Sequence, residues 1–295
     1  MPDETGARSR PAARAALGAA CTSPMAIIVT LAHTAPVPTV VYRCGLALPV
    51  LAGLAVAERR RRGPRPLASR GLATAAGFFL AVDLVLFNHA IADLGAGIAT
   101  TAGNLSAVFV AALAWPLLGE RPARRYLLML PVVLIGMVLV SGLAGGSGTG
   151  PHPAAGVGYA IAVNAAYAGF LLVLRQSAGG TTHVAGQLFD ATAGATAGAA
   201  LLGLAFGGLR LAVSLPALGW LALLALLVQT AGWLLITSSL PGLPAAVSSL
   251  LLLVQPAGAL VLAAVILGQR PTPVQLAGAV LVCAAVLVVA RAQGE

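Results

Sequence analysis

Apolar residues run through this chain in stretches of about twenty, broken by short segments rich in arginine, glycine or proline. A helix needs about 20 predominantly apolar residues to cross the ~30 Å hydrocarbon core of a bilayer. Cutting the chain at its Arg clusters, Gly/Pro-rich stretches and turn signals predicts ten such helices. They cover residues 14–33, 38–57, 71–91, 95–118, 125–143, 155–176, 183–206, 213–237, 243–267 and 272–291. The predicted fold class is an all-α integral membrane protein. Arg8, Arg10 and Arg14 precede the first apolar run with no clear small-residue cleavage site after it, so that run is expected to stay as a span.

Composition strengthens this picture. Of 295 residues, 59% are apolar and 8% charged, against about 25% charged in soluble domains. So little charge cannot coat a water-facing surface, which excludes a soluble globular enzyme. The 35 glycines show no triplet repeat, and three cysteines do not make a disulfide scaffold. Cys21, Cys44 and Cys283 all lie in apolar runs and read as small buried hydrophobes.

The net charge of +9 arises from 17 basic and 8 acidic residues, and every basic residue is arginine. Such a balance can mark nucleic-acid binding, but these arginines sit between apolar runs. With the N-terminus inside, 14 of the 17 fall on the inner side and only Arg43, Arg210 and Arg270 on the outer. The positive-inside rule then places both termini in the cytoplasm. The run from Arg59 to Arg70 reads as a topology anchor rather than a lipid or nucleic-acid site, and no nucleic-acid partner is expected.

The chain also repeats itself. Leu118-Gly119-Glu120-Arg121-Pro122 closes the fourth predicted span, and Leu267-Gly268-Gln269-Arg270-Pro271 closes the ninth, 149 residues later. At the same offset Leu94-Gly95-Ala96-Gly97-Ile98 falls on Leu243-Pro244-Ala245-Ala246-Val247. The organisation expected is a tail (1–13), a five-helix repeat (14–143), an external Gly-rich linker (144–154), a second five-helix repeat (155–291) and a short tail (292–295). Five spans is an odd number, so the second copy must enter the membrane inverted. Inverted repeats of this kind build many secondary transporters, with the site near the midplane between the copies.

These features resemble the drug/metabolite transporter superfamily, EamA type. The resemblance is carried by the stretch from Asn104-Leu105-Ser106 through Gly119-Glu120-Arg121-Pro122, by its echo from Gln255-Pro256 to Pro271, and by Arg43 opening the second span after Ala35-Pro36. It implies a multi-pass carrier of a prokaryotic plasma membrane, usually an exporter of amino acids, other small metabolites or drugs. By the same resemblance spans one to four and six to nine would line a cavity, and spans five and ten would pack at the periphery or in a homodimer contact. The second copy has Gln269 where the family usually has Glu, which argues against a proton-carrying role there. Both motifs look like helix ends, with Gly to stop the helix and Pro to begin the next.

Charges inside a span cost about 2.5–3.5 kcal/mol each on insertion scales and normally face the bundle interior. Arg43, Asp83 and Asp190 are the candidates for ion coupling. Asp83 lies about twelve residues into its span, roughly 18 Å deep at 1.5 Å per residue, close to the midplane. Two readings stand: an unpaired proton carrier, or structural glue ionised against Arg43 reaching down to it. Asp190 shares a helical stripe with His183 and Gln187 that continues through Gly194 and Gly198, a small-xxx-small spacing suited to close helix approach. Further polar stripes, with Asn104 on span four, Asn164 and Tyr167 on span six, Gln229 and Trp233 on span eight and Gln255 on span nine, are candidate substrate-cavity residues. Pro24 and Pro256 interrupt their spans and free carbonyls there.

The chain has no Gly-x-x-x-x-Gly-Lys-Ser/Thr loop, no His-Glu-x-x-His, no paired-Cys metal pattern and no Gly-x-Ser-x-Gly elbow. No catalytic residue, metal or cofactor is expected, and energy must come from a gradient. The reading is a secondary transporter that exports a small organic solute by alternating access, coupled to protons. An uncoupled facilitator, or a membrane enzyme or scaffold on the same fold, are the alternatives.

Overall fold

Ser23 and Pro24 divide the first apolar stretch into two helices, α1 (Glu4–Thr22) and α2 (Met25–Ala32), in the computed structural model of the chain. The structure describes residues 4–103, 151–178, 183–206, 208–239 and 254–292, with a few positions between 128 and 139. At the break, proline cannot donate a backbone hydrogen bond, and the preceding hydroxyls fold back onto Ala19 O, which also accepts from Ser23 N at 3.0 Å. Ser23 Oγ donates to Ala19 O at 2.9 Å, and Thr22 Oγ1 to Ala19 O at 3.0 Å. The helical ladder of this span is interrupted at Pro24, as the sequence predicts.

The next helices are α3 (Pro36–Arg62) and α4 (Leu67–Leu94). Each stops at a glycine with positive φ, Gly63 at +85° and Gly95 at +88°, whose amide still bonds the last turn. Arg59 to Arg62 occupy the last turn of α3, where positive charge suits the helix dipole. A short α5 (Ala96–Gly103) follows, the described beginning of the span expected over 95–118. The remainder of that span, nearly all of the span expected over 125–143 and the start of the one expected over 243–267 lie outside the described residues.

The second half continues with α6 (Pro153–Ala178) and α7 (Val184–Ala205). Leu215–Leu223 forms α8, which passes without a turn into a π-helical segment, Leu224–Gly232, and then into α9 (Trp233–Ser239). The predicted helix over 213–237 is thus one span with a wide turn in its middle. Last come α10 (Val254–Leu267) and α11 (Pro273–Ala292). The end of α10 bears out the reading of its Gly-Gln-Arg-Pro motif as a stop: Gly268 has φ +64° and the Gln269 amide reaches back to Ala263 O. Thr272 and Gln275 then exchange hydrogen bonds, Thr272 N to Gln275 Oε1 at 2.8 Å and Gln275 N to Thr272 Oγ1 at 3.3 Å, a capping box that starts α11.

Among the described residues, six stretches are long and apolar enough to cross a membrane: Ala13–Ala32, Pro36–Arg62, Leu67–Leu94, Ala154–Ser177, Val184–Ala205 and Leu215–Ser239. No strand occurs among the described residues. Large apolar side chains face outward along these helices, among them Val50, Leu54, Phe78, Phe79, Leu201 and Leu204. In water such a surface would aggregate; in hydrocarbon it is the solvated face.

The two halves interlock. Helix α4 packs along both α6 and α7, and α3 also packs on α7. The crossing of α4 and α7 is set by Gly77 and Gly194, where the backbones meet. A Cβ built on Gly77 would fall 2.7 Å from Ala195 N, and one on Gly194 would fall 2.9 Å from the Thr74 carbonyl carbon. Small residues continue the seam through Ala76, Ala191, Ala195 and Gly198, so that van der Waals contact between backbones replaces bulky core packing.

Candidate functional site

The crossing of α3, α4, α6, α7 and the π-helical segment encloses a cluster of polar and aromatic side chains drawn from both halves. Asp83 falls on the buried face of α4, one turn from Leu80 and one from Phe87, and is only 6% exposed. Among the described residues it has no hydrogen-bond or ion-pair partner. The groups its charge reaches are the Arg43 guanidinium and the Tyr167 hydroxyl.

Arg43, from α3, is 3% exposed. Its Nε donates to Gln229 Oε1 at 3.0 Å and its Nη1 to the Met25 thioether at 3.0 Å. Gln229 in turn donates through Nε2 to Thr192 Oγ1 at 3.2 Å. A polar chain therefore runs from α2 and α3 in the first half to the π-helical segment and α7 in the second. The wide turn helps place it: Gln229 is wholly buried and aimed at Arg43 from the middle of that segment, and Thr230 Oγ1 bonds Ala225 O five residues back.

Beside this chain stands an aromatic wall. Tyr167 and Phe170 of α6 have ring centroids 5.8 Å apart, and Trp233 approaches Tyr167 at 6.2 Å and Phe170 edge-on at 5.9 Å. Such rings offer flat apolar surface with a negative face, suited to an organic solute or a cationic group.

Asp190, in contrast, lies at the arginine-rich end of the molecule. Its Oδ2 pairs with Arg65 Nη1 at 2.7 Å and with Arg70 Nε at 3.6 Å. Around it Glu58 Oε2 accepts from Gly186 N at 2.8 Å, His183 Nε2 meets Gly63 O at 3.2 Å, and Gln187 Nε2 donates to Leu174 O and Ser177 Oγ. Ser69 donates to Ser177 O. These contacts join the α3–α4 turn to the neighbourhood of the α6–α7 turn.

The sequence model of the EamA-like transporter family matches twice, over residues 12–142 and 155–291. The chain belongs to the EamA-like transporter family. It is a multi-pass membrane protein of the drug/metabolite transporter type, built of two repeats. A crystal structure described only as that of a protein shares the fold, with TM-score 0.60 over 97% of this chain and 99% of its own, at 18% identity. No curated protein sequence matched.

Within this EamA-like transporter the structure corrects one expectation directly: Arg43 does not form an ion pair with Asp83. Helix α3 packs against α7 and the π-helical segment, so the guanidinium meets the Gln229 amide, and a neutral partner leaves both formal charges uncompensated by contact. Asp190, the other acid among the ion-coupling candidates, is engaged as an ion pair with Arg65 and Arg70. Asn164 is fully buried and donates to Ala102 O at 2.9 Å and Ala160 O at 2.6 Å, which joins α6 to α5 away from Asp83. Gln255 is half-buried at the start of α10, and Asn104 lies outside the described residues. The structure thus brings together Arg43, Gln229, Asp83, Tyr167 and Trp233, and adds Met25, Thr192 and Phe170. Thr192 carries no sequence signal: Thr196 one turn later donates back to its carbonyl, and nothing in sequence says that its hydroxyl faces Gln229.

In the EamA-like transporter Gln229→Leu is expected to lower stability by about 1.5–3 kcal/mol, the range for a hydrogen bond to a charged group. The substitution leaves Arg43 Nε without its acceptor. A thermal melt in detergent checks this, and Gln229→Glu should restore the midpoint.

Proposed function

We propose that this protein exports a small organic solute, of amino-acid or drug-like kind, across a prokaryotic plasma membrane by alternating access and draws its energy from the proton gradient. The observation that carries the reading is Asp83: an acid buried inside a membrane span, with no direct partner among the described residues, beside an aromatic wall and a polar chain that links the two halves. In hydrocarbon an unpartnered carboxylate is costly when ionised and comfortable when protonated. Proton uptake from one side and release to the other is the chemistry such a group performs.

Family membership supports the carrier part of the reading. The two matched repeats, read in sequence as five spans each, support alternation, because inverted copies would make inward-open and outward-open states nearly equivalent. The distribution of arginines supports cytoplasmic termini. The aromatic wall supports an organic cargo rather than a bare ion.

Reconstitution into proteoliposomes with an imposed pH gradient tests the whole reading. Labelled amino acids, analogues and cationic drugs are offered as a panel. Saturable, gradient-driven flux of at least one member is expected. Flux that ignores the gradient would make the protein a facilitator, and no flux across the panel would overturn the carrier.

A further inference from the structure

The arginine-rich end contains a cavity of about 260 Å³ that the transport reading does not use. It lies between the α3–α4 turn and the first turn of α7. Its charged lining holds three arginines, Arg59, Arg65 and Arg70, against two carboxylates, Glu58 and Asp190. Both carboxylates are engaged: Glu58 with Gly186 N at 2.8 Å, and Asp190 with Arg65 at 2.7 Å. Donors, however, are left over.

The Arg65 side chain is only 6% exposed, and its Nε is buried without a partner. The His183 ring donates through Nε2 to the Gly63 carbonyl, which can only accept, so in the neutral ring the buried, partnerless Nδ1 is an acceptor and adds no donor to the cavity. Arg59 lines the same space, and its guanidinium has no partner among the described residues. The first turn of α7, a helix of 22 residues, adds the positive end of its dipole. A cavity walled by surplus N–H donors and net positive charge is built for an anion.

We propose that this cavity is a phosphate-binding site. The donors come from two separate places, Arg59 at the end of α3 and Arg65 in the turn after it, and the positive end of α7 faces them. That arrangement surrounds a tetrahedral group better than it matches the single planar fork of a carboxylate. The remaining wall is apolar, formed by Ala52, Ala55, Val56 and Phe189, and Val56 lies half exposed on the hydrocarbon-facing side of α3. The phosphate therefore belongs either to the headgroup of an anionic phospholipid or to a soluble phosphate, and the two share the same recognition chemistry. The arginine run serves as more than a topology signal.

The test is a thermal melt of the purified full-length protein in detergent, titrated with inorganic phosphate, with short-chain phosphatidylglycerol or with phosphatidylcholine, at constant ionic strength against chloride. A saturable rise in midpoint with phosphate assigns the soluble source; a rise with phosphatidylglycerol but with neither phosphate nor phosphatidylcholine assigns the lipid. Arg59→Gln, at an exposed position, and Arg65→Lys, which keeps the charge beside Asp190 but lacks the Nε donor, are each expected to weaken the response at least tenfold. Their melts without ligand report folding separately. No response to either ligand, or an equal response in both variants, overturns the site, and neither result depends on transport.

Discussion

Asp83→Asn is expected to abolish the dependence of transport on a pH gradient while leaving the protein folded. Asparagine keeps the volume and polarity of the side chain and removes only its capacity to gain and lose a proton. Gradient-driven flux should fall at least tenfold, whereas exchange of labelled for unlabelled cargo, with no net proton movement, should persist. The melting temperature separates this role from a structural one. A buried acid in a close ion pair would cost several kcal/mol when its charge is removed, because the partner is stranded. Arg43 already has Gln229 and Met25 as its hydrogen-bond partners, so Asp83→Asn should change stability by less than about 1 kcal/mol, or raise it. Unchanged gradient dependence would remove Asp83 from the coupling step.

The largest loss of stability is expected at the crossing of α4 and α7. Gly77→Val and Gly194→Val each push side-chain atoms into opposing backbone, which cannot rotate away. A Cβ on Gly77 already falls 2.8 Å from the Gly194 Cα, and one on Gly194 falls 3.1 Å from the Thr74 Cα. Overpacking usually costs about 1–3 kcal/mol when side chains can yield, and here backbone must move, so the effect should reach or exceed the upper end. Recovery of monodisperse protein from detergent should drop sharply for both variants. Gly53→Ala and Gly71→Ala, where nothing lies within 4 Å of the new atom, should melt at or slightly above the parent temperature. Equal losses at all four positions would mean that the seam is not the tight point of the fold.

Much of this architecture is legible from apolar periodicity, because a bilayer demands helices of one length and punishes charge within them. Pro24, Gly268 and the Gly194/Gly198 spacing could each be read directly, since each acts on its own backbone or on any neighbour that comes close. The partners of Arg43 could not. Which amide faces a buried guanidinium depends on how α3 sits against α7, and on a π-helical turn at Leu224–Gly232 that leaves no mark on hydropathy. The arginine run is legible only in part, for a related reason. Taken as equivalent positive charges, Arg59 to Arg70 give only an orientation, but folding sends Arg65 inward to Asp190 and leaves Arg59 at a cavity without a partner among the described residues.

The Arg43 and Asp83 charges have an electrical consequence. Under the proposed proton coupling, ionised Asp83 cancels Arg43, and the empty protein would rearrange across a membrane potential with little net electrical work. Once Asp83 takes up a proton, the Arg43 charge stands alone, and each 100 mV acts on it with up to about 2.3 kcal/mol. Voltage should then press on the proton-loaded form and spare the empty one, so the potential would select which half of the cycle is slow.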